Sequence, residues 1–325
     1  MSATIVAVTG GVGGAKLALG LDRELPKGAL SCVVNVGDDF DHLGLRVCPD
    51  LDTLLYTLSG EANETLGWGR REESWNFLDA LSRYGGEDWF RLGDRDLSTH
   101  VLRTAALASG ESLTAVMARL ASALGVASRI LPVTDDPLRT VVDTDDGALA
   151  FQHYFVRERC EPSVRGFRFE GAETATLSAP VADALRAPDL GAVVLCPSNP
   201  FVSIDPVLAT PGMRDALRGV AAPVIAVSPL VGGDAVKGPT AKMMDELGVP
   251  RSAAAVAAHY GTRRNGGDGI LDAFVVDEVD AAEAPAIEAL GLDVLVAPTL
   301  MRTLEDRTGL ARRLVDHFVD HVTGP

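Results

Sequence analysis

Thr4-Ile5-Val6-Ala7-Val8-Thr9-Gly10-Gly11-Val12-Gly13-Gly14-Ala15-Lys16 is the stretch on which the reading of the fold turns. Thr4 to Val8 is an apolar run that forms a strand, and it leads directly into glycines that let backbone amides approach a phosphate at a helix N-terminus. A second strand-like run, Cys32 to Val36, passes into Asn35-Val36-Gly37-Asp38-Asp39, and Pro49-Asp50-Leu51-Asp52-Thr53 follows. Carboxylates at 38, 39, 50 and 52 therefore stand just past a parallel strand, where open α/β sheets bind ligands. A phosphate cradle beside an acidic cluster points to metal-assisted phosphoryl chemistry.

The glycine loop departs from two familiar patterns. A dinucleotide fingerprint needs Gly or Ala at its sixth place, but counting from Gly11 that place is Lys16, and Asn35 stands where a ribose-binding acid is expected. A Walker A loop needs Gly-Lys-Ser/Thr, whereas Lys16 follows Ala15 and precedes Leu17. A tight strand-to-helix turn with no ligand is the bland alternative.

Further strand-like runs at Ala192 to Cys196, Pro223 to Val227, Ala273 to Val276 and Asp293 to Val296 alternate with helical stretches. The expected fold is a single α/β domain over 1–325 with a doubly wound, mainly parallel, Rossmann-like sheet. Between 51 and 124 the strand signal is replaced by helical segments, Ser74 to Tyr84, Ser98 to Ala108 and Ser112 to Leu124, which read as a helical insertion. Ser112 reads as an N-cap, and Asp96 or Ser98 as a cap of the helix beginning there. Residues 139–170 alternate around Asp145-Asp146-Gly147 as a small antiparallel β element.

The chain has 325 residues, 47% of them hydrophobic, and a formal net charge of −16. That size supports a substantial core. The charge argues against nonspecific nucleic-acid binding and against anionic membranes, since both need a basic surface. An anionic substrate must be met by local cations. Cys32, Cys48, Cys160 and Cys196 have no CxxC spacing and read as free thiols. No run approaches the roughly 20 apolar residues that span a bilayer, and a cytoplasmic location is expected.

Two polar loops follow core strands: Pro197-Ser198-Asn199-Pro200, leading to Ser203, and Ser228-Pro229-Leu230-Val231-Gly232-Gly233. Loops at strand carboxyl ends converge, so these, the glycine loop and the acidic loop are expected to line one crevice. Gly67-Trp68-Gly69 and the run Trp89 to His100 bring aromatic rings, aspartates and arginines suited to holding a flat heterocycle. His317 and His321 share an i, i+4 spacing but have no third metal ligand and read as a solvated face; His42 and His100 are better placed for contact.

These motifs, taken in order with Leu92-Gly93-Asp94-Arg95-Asp96-Leu97, Phe151-Gln152 and Lys237-Gly238-Pro239, resemble the 2-phospho-L-lactate transferase family of coenzyme F420 biosynthesis over nearly the whole chain. The resemblance implies transfer of a phosphorylated three-carbon acid from its guanosine diphosphate conjugate to the ribityl hydroxyl of 7,8-didemethyl-8-hydroxy-5-deazariboflavin, with release of GMP. The acid is 2-phospholactate, phosphoenolpyruvate or 3-phosphoglycerate, and no motif separates them. Mg²⁺ and a homodimer are implied as well.

On that resemblance, Gly11, Gly13 and Gly14 bring amides to the diphosphate with Lys16 nearby. Ser198, Asn199 and Ser203 are expected to contact the guanosine side or phosphate, with Ser228 and Gly232 as further candidates. Asp38 and Asp39 are the metal candidates, and with Asp52 they form the expected catalytic set. Asp52 and Arg95 are expected to meet across the crevice on the deazaflavin, and Asp50 can serve either role. Two other functions stay open: a nucleotide-sugar-binding regulatory protein of the gluconeogenesis-factor type, and a nicotinamide-dependent oxidoreductase. Deazaflavin binding separates all three.

Overall fold

The protein is described from a computed structural model covering residues 3–319. Seven parallel strands make the main sheet. They are β1 (Thr4–Thr9), β2 (Leu30–Val34), β3 (Arg129–Pro132), β4 (Leu190–Leu195), β5 (Val224–Val227), β6 (Ala273–Val276) and β7 (Asp293–Val296). Their order across the sheet is β7-β6-β5-β4-β1-β2-β3, parallel at every pairing. Leu30 to Val34, Val224 to Val227 and Ala273 to Val276 are buried throughout, because helices cover both faces of such a sheet.

β3 is the strand that the sequence reading lacks. It is four residues long, begins at an exposed arginine and ends in proline, so little apolar run announces it. The second strand also stops sooner than expected, at Val34. Asn35 and Val36 turn away from the sheet, with the Asn35 side-chain oxygen accepting from the Gly37 amide at 2.7 Å.

From β1 the chain works outward to β2 and β3, then returns to the other side of β1 as β4. That reversal leaves a crevice at the carboxyl ends of β1 and β4, the usual ligand position in open α/β sheets. Helix α1 (Gly11–Glu24) starts there, and α2 (Pro49–Ser59) packs beside it. The helix Leu113–Ala123 packs on β3 and is capped by Ser112, whose hydroxyl accepts from Ala115 N. The helix Asp94–Ala108 begins one turn before Ser98, with Gly93 at its cap; Ser98 instead donates to the Arg95 carbonyl. A three-stranded antiparallel sheet, Arg139–Thr144, Gly147–Ala150 and Val164–Glu170, lies apart from the main one.

None of the described helices is long and apolar enough to cross a membrane. Cys32, Cys48, Cys160 and Cys196 are free. His321 lies outside the described residues.

Candidate functional site

A cavity of about 540 Å³ opens at the crevice. It brings together segments that are far apart in the chain: Gly10–Gly13 after β1, Ser198 and Ser203 after β4, and Ser228 after β5. Trp68, Trp89, Phe90 and Arg91 reach it from the helical region, and Phe151 and Phe155 from the connection between the second and third strands of the small sheet.

Two glycines of the loop are required by packing. A Cβ at Gly13 would lie 2.4 Å from the Pro197 carbonyl oxygen, and one at Gly14 would lie 2.0 Å from Thr9 Oγ1. Only glycine lets α1 begin so close to the end of β4. The first amides of a helix lack intrahelical partners. Here the Gly11 amide donates to Asp50 Oδ1 at 2.7 Å, and Val12 and Gly13 line the cavity; Gly14 is buried behind it. Ser198 ties the β4 loop to this turn by donating to the Gly10 carbonyl at 2.8 Å.

The acidic cluster divides into two pairs. Asp38 and Asp50 line the cavity and are bridged by Asn35, whose Nδ2 donates to Asp38 Oδ1 at 3.0 Å and to Asp50 Oδ2 at 2.9 Å. Burial pushes the Asp38 carboxyl well above the usual carboxylate range, and the neighbouring Asp50 adds to this. Asp50 is raised by burial to about 6, held down in part by Asn35 and the Gly11 amide. Asn35 is a site residue whose role the sequence does not disclose, because its partners come from three separate segments.

Asp39 and Asp52 face elsewhere and do not line the cavity. Asp39 is buried and raised to about 7, mainly by burial, with Arg139 opposing. Asp52 forms a buried ion pair with Arg103, which also donates through Nη1 to Asp52 Oδ2 at 3.1 Å. Burial pulls the Arg103 guanidinium down, but the Asp52 charge more than offsets this and holds it above its ordinary value. His100 completes the group, 3.7 Å from Asp52 and 3.3 Å from Asp96. His42 packs edge-on against Trp89.

Arg95 is exposed and paired with Glu72 at 3.0 Å. The structure therefore does not bring Asp52 and Arg95 together, and neither lines the cavity. The physical reason is that Arg103, a fully buried cation inside the helix Asp94–Ala108, takes the Asp52 carboxylate. The metal expectation changes too: Asp38 is accompanied at the cavity by Asp50 rather than Asp39.

Gly232 also stands away from the cavity, its amide donating to both Asp280 oxygens at 3.0 Å. Lys16 does line it, with Nζ donating to the Met301 carbonyl at 3.1 Å. Asn199 lines it and caps the turn that follows, its Oδ1 accepting from Phe201 N at 3.0 Å.

The residues present suit Mg²⁺. An anionic diphosphate at the amides of Val12 and Gly13 would share the cavity with the carboxylates of Asp38 and Asp50, which would hold a divalent cation to offset the repulsion. No group of three His, Cys, Asp or Glu side chains able to hold a metal exists among the described residues. Mg²⁺ is commonly held by one or two carboxylates with substrate phosphates and water, so two carboxylates suffice.

The fold is shared with solved structures of distant sequence. A member of the UPF0052 family from Bacillus halodurans aligns with a TM-score of 0.62 at 15% identity, covering 97% of this chain and 99% of that one. Closer relatives are proteins named phosphoenolpyruvate transferase. One from Streptomyces griseus is 39% identical over 317 residues, covering 96% of this chain and 97% of its own. One from Nocardia farcinica is 41% identical over 317 residues, covering 94% of each chain. The family model described as 2-phospho-L-lactate transferase CofD matches residues 5–291. With the glycine loop, the Asn35-bridged carboxylates and the β4 loop meeting in one cavity, the chain belongs to this family and is a transferase of coenzyme F420 biosynthesis.

Proposed function

We propose that this transferase moves the enolpyruvyl phosphate group from its guanosine diphosphate conjugate to the terminal ribityl hydroxyl of 7,8-didemethyl-8-hydroxy-5-deazariboflavin, releasing GMP. The observation that carries the proposal is the cavity itself. It joins open helix-start amides and a carboxylate pair to a wall of Trp68, Phe90, Phe151 and Phe155. The amides suit a diphosphate, and the aromatic wall suits a flat deazaflavin. Among the three donor acids, phosphoenolpyruvate is favoured by the name carried by relatives 39–41% identical to this chain.

The acceptor oxygen forms a bond to the phosphorus bearing the acid, the bond from that phosphorus to the GMP oxygen breaks, and the hydroxyl proton is released. Little covalent chemistry falls to the protein in such a displacement, so its work is alignment and charge neutralisation. Mg²⁺, when bound, supplies charge neutralisation at the phosphates. Asp38 and Asp50 are the residues that would hold it, and Asn35 fixes both carboxylates in place. Amides of Val12 and Gly13 orient the diphosphate, while Ser198, Asn199 and Ser203 take the guanosine side. The aromatic wall excludes water from the acceptor's ring and presents its ribityl chain to the phosphorus.

Purified protein is to be incubated with the deazaflavin and, in turn, each guanosine-linked donor, with products read by mass spectrometry. Formation of the dehydro product from the enolpyruvyl donor is expected. Preference for the phospholactyl or phosphoglyceryl donor would remove the donor assignment, and no product with any donor would remove the reaction.

A further inference from the structure

Lys16, Lys237 and Arg307 form a cationic cluster that the reaction as described above does not use as a unit. Lys16 and Lys237 line both the substrate cavity and a second, larger one of about 1120 Å³, which lies beside α1 and α2 and is also lined by Arg307. The Lys16 ammonium donates to the Met301 carbonyl at 3.1 Å, and that of Lys237 to the Gly67 carbonyl at 3.0 Å. An ammonium has three donors, so each of these bonds leaves others for a ligand.

Arg307 belongs to the helix Leu304–Phe318, which is pressed onto α1 at Gly20. A Cβ at Gly20 would lie 2.2 Å from the Arg307 carbonyl oxygen. Gly20 is four residues beyond Lys16 and shares its face of α1, so this close approach carries Arg307 to the Lys16 side. The Arg307 side chain is only 13% exposed, its Nε is buried without a partner, and its paired carboxylate, Glu64, is 84% exposed at 4.0 Å. Burial lowers the Lys16 pKa, and Arg307 and Lys237 lower it further. In a chain of net charge −16, Lys16 thus feels two other cations against one solvated acid, Glu64. A bound anion would relieve that repulsion.

We infer that Lys16, Lys237 and Arg307 hold the carboxylate of the donor's three-carbon acid, so that the enzyme distinguishes an acid-bearing donor from plain GDP. The inference rests on the donor reading given above. Its geometric basis is that Lys16 and Lys237 line the same cavity as Val12 and Gly13, with Arg307 in the adjoining one. The carboxylate of the transferred acid is separated from its phosphorus by only one oxygen and one carbon, so a diphosphate at the start of α1 keeps the acid within that shared lining. The acid is then on the side of the cations, and guanosine on that of Ser198 and Asn199. Lys16 then serves the acid rather than the diphosphate.

Calorimetry without the acceptor tests this, because no turnover is needed. The enolpyruvyl guanosine diphosphate donor and GDP are to be titrated into wild type, Lys16→Gln, Lys237→Gln and Arg307→Gln. Donor affinity is expected to fall about tenfold in each, as for loss of one charge-assisted hydrogen bond, while GDP affinity moves less than about threefold. Lys237→Arg should retain most of the donor affinity. Lys237 is exposed, so its variant keeps the test open should Arg307→Gln fail to fold. Equal losses for donor and GDP would assign the cluster to the diphosphate and overturn the inference, as would unchanged donor binding. Selective donor binding without any transfer to deazaflavin would instead sink the functional reading and leave this one standing.

Discussion

Asp38 and Asp50 accept hydrogen bonds from one and the same amide group, Asn35 Nδ2, at 3.0 and 2.9 Å. Two buried carboxylates held this close raise each other's pKa unless a cation or a proton is present. Burial and the proximity of Asp50 lift Asp38 in this way. On the function proposed above the pair holds a divalent ion, and the consequence can be measured.

Excess chelator is expected to stop transfer, with Mg²⁺ restoring it. Asp38→Asn and Asp50→Asn should each lower turnover by orders of magnitude while far-ultraviolet circular dichroism stays that of wild type. Asp50→Asn is the sharper test, since Asp50 rather than Asp39 accompanies Asp38 at the cavity. Full activity in chelator would falsify the metal assignment.

Removing Asp52 should act on stability. Asp52→Ala leaves the Arg103 guanidinium, 0% exposed, without its ion-pair partner. Breaking one side of a buried pair costs about 3–5 kcal/mol, so denaturant melts should show a large loss. Arg95→Ala removes only an exposed contact to Glu72 and should change stability little. Titration by deazaflavin fluorescence should give near wild-type affinity for Arg95→Ala. A large loss of acceptor affinity there would restore Arg95 to the acceptor site.

Asp39 gives a pH dependence with a definite sign. Burial raises its folded-state pKa from the ordinary 3.8 to about 7. Between these values the folded protein binds more protons than the unfolded chain, so stability falls as pH rises from about 4 to 7. At 1.36 kcal/mol per unit the full effect is on the order of 4 kcal/mol. Asp39→Asn stays neutral and should melt higher than wild type at pH 8 in chelator, with the difference shrinking toward pH 4. A constant difference across that range would show that Asp39 does not titrate there.

The aromatic wall can be tested at Phe155. It is 41% exposed and stacked on Phe151 with ring centroids 5.4 Å apart and planes 10° apart. Phe155→Ala should weaken deazaflavin binding by about 0.5–1.5 kcal/mol, the usual scale of an aromatic contact, and leave GDP binding alone. Loss of GDP affinity instead would exchange the two substrates' positions in the cavity.

Six of the seven main strands are legible in the sequence, because strands covered on both faces read as unbroken apolar runs such as Ile5–Val8 and Ala273–Val276. β3 is the exception, too short and too polar at its start to stand out. The glycine loop is legible for a similar reason: an apolar strand running into clustered glycines has few structural uses. Its division of labour is not, since Gly13 is pressed by Pro197 and Gly14 by Ser198 as well as by the local Thr9, and the contacts to 197 and 198 exist only once β1 and β4 lie side by side.

The acidic cluster marks the same boundary between sequence and structure. Its residues and their place after a parallel strand follow from the chain alone, but the facing of each carboxylate does not. Asp50 and Asp52 both sit in the first turn of α2, and residues two apart on a helix point to different sides. One side meets Asn35 and the cavity; the other meets Arg103 from a helix some 50 residues further on. Which carboxylate reaches the cavity was decided by where α2 packs, because helix geometry separates the two side chains while only tertiary contacts choose between them.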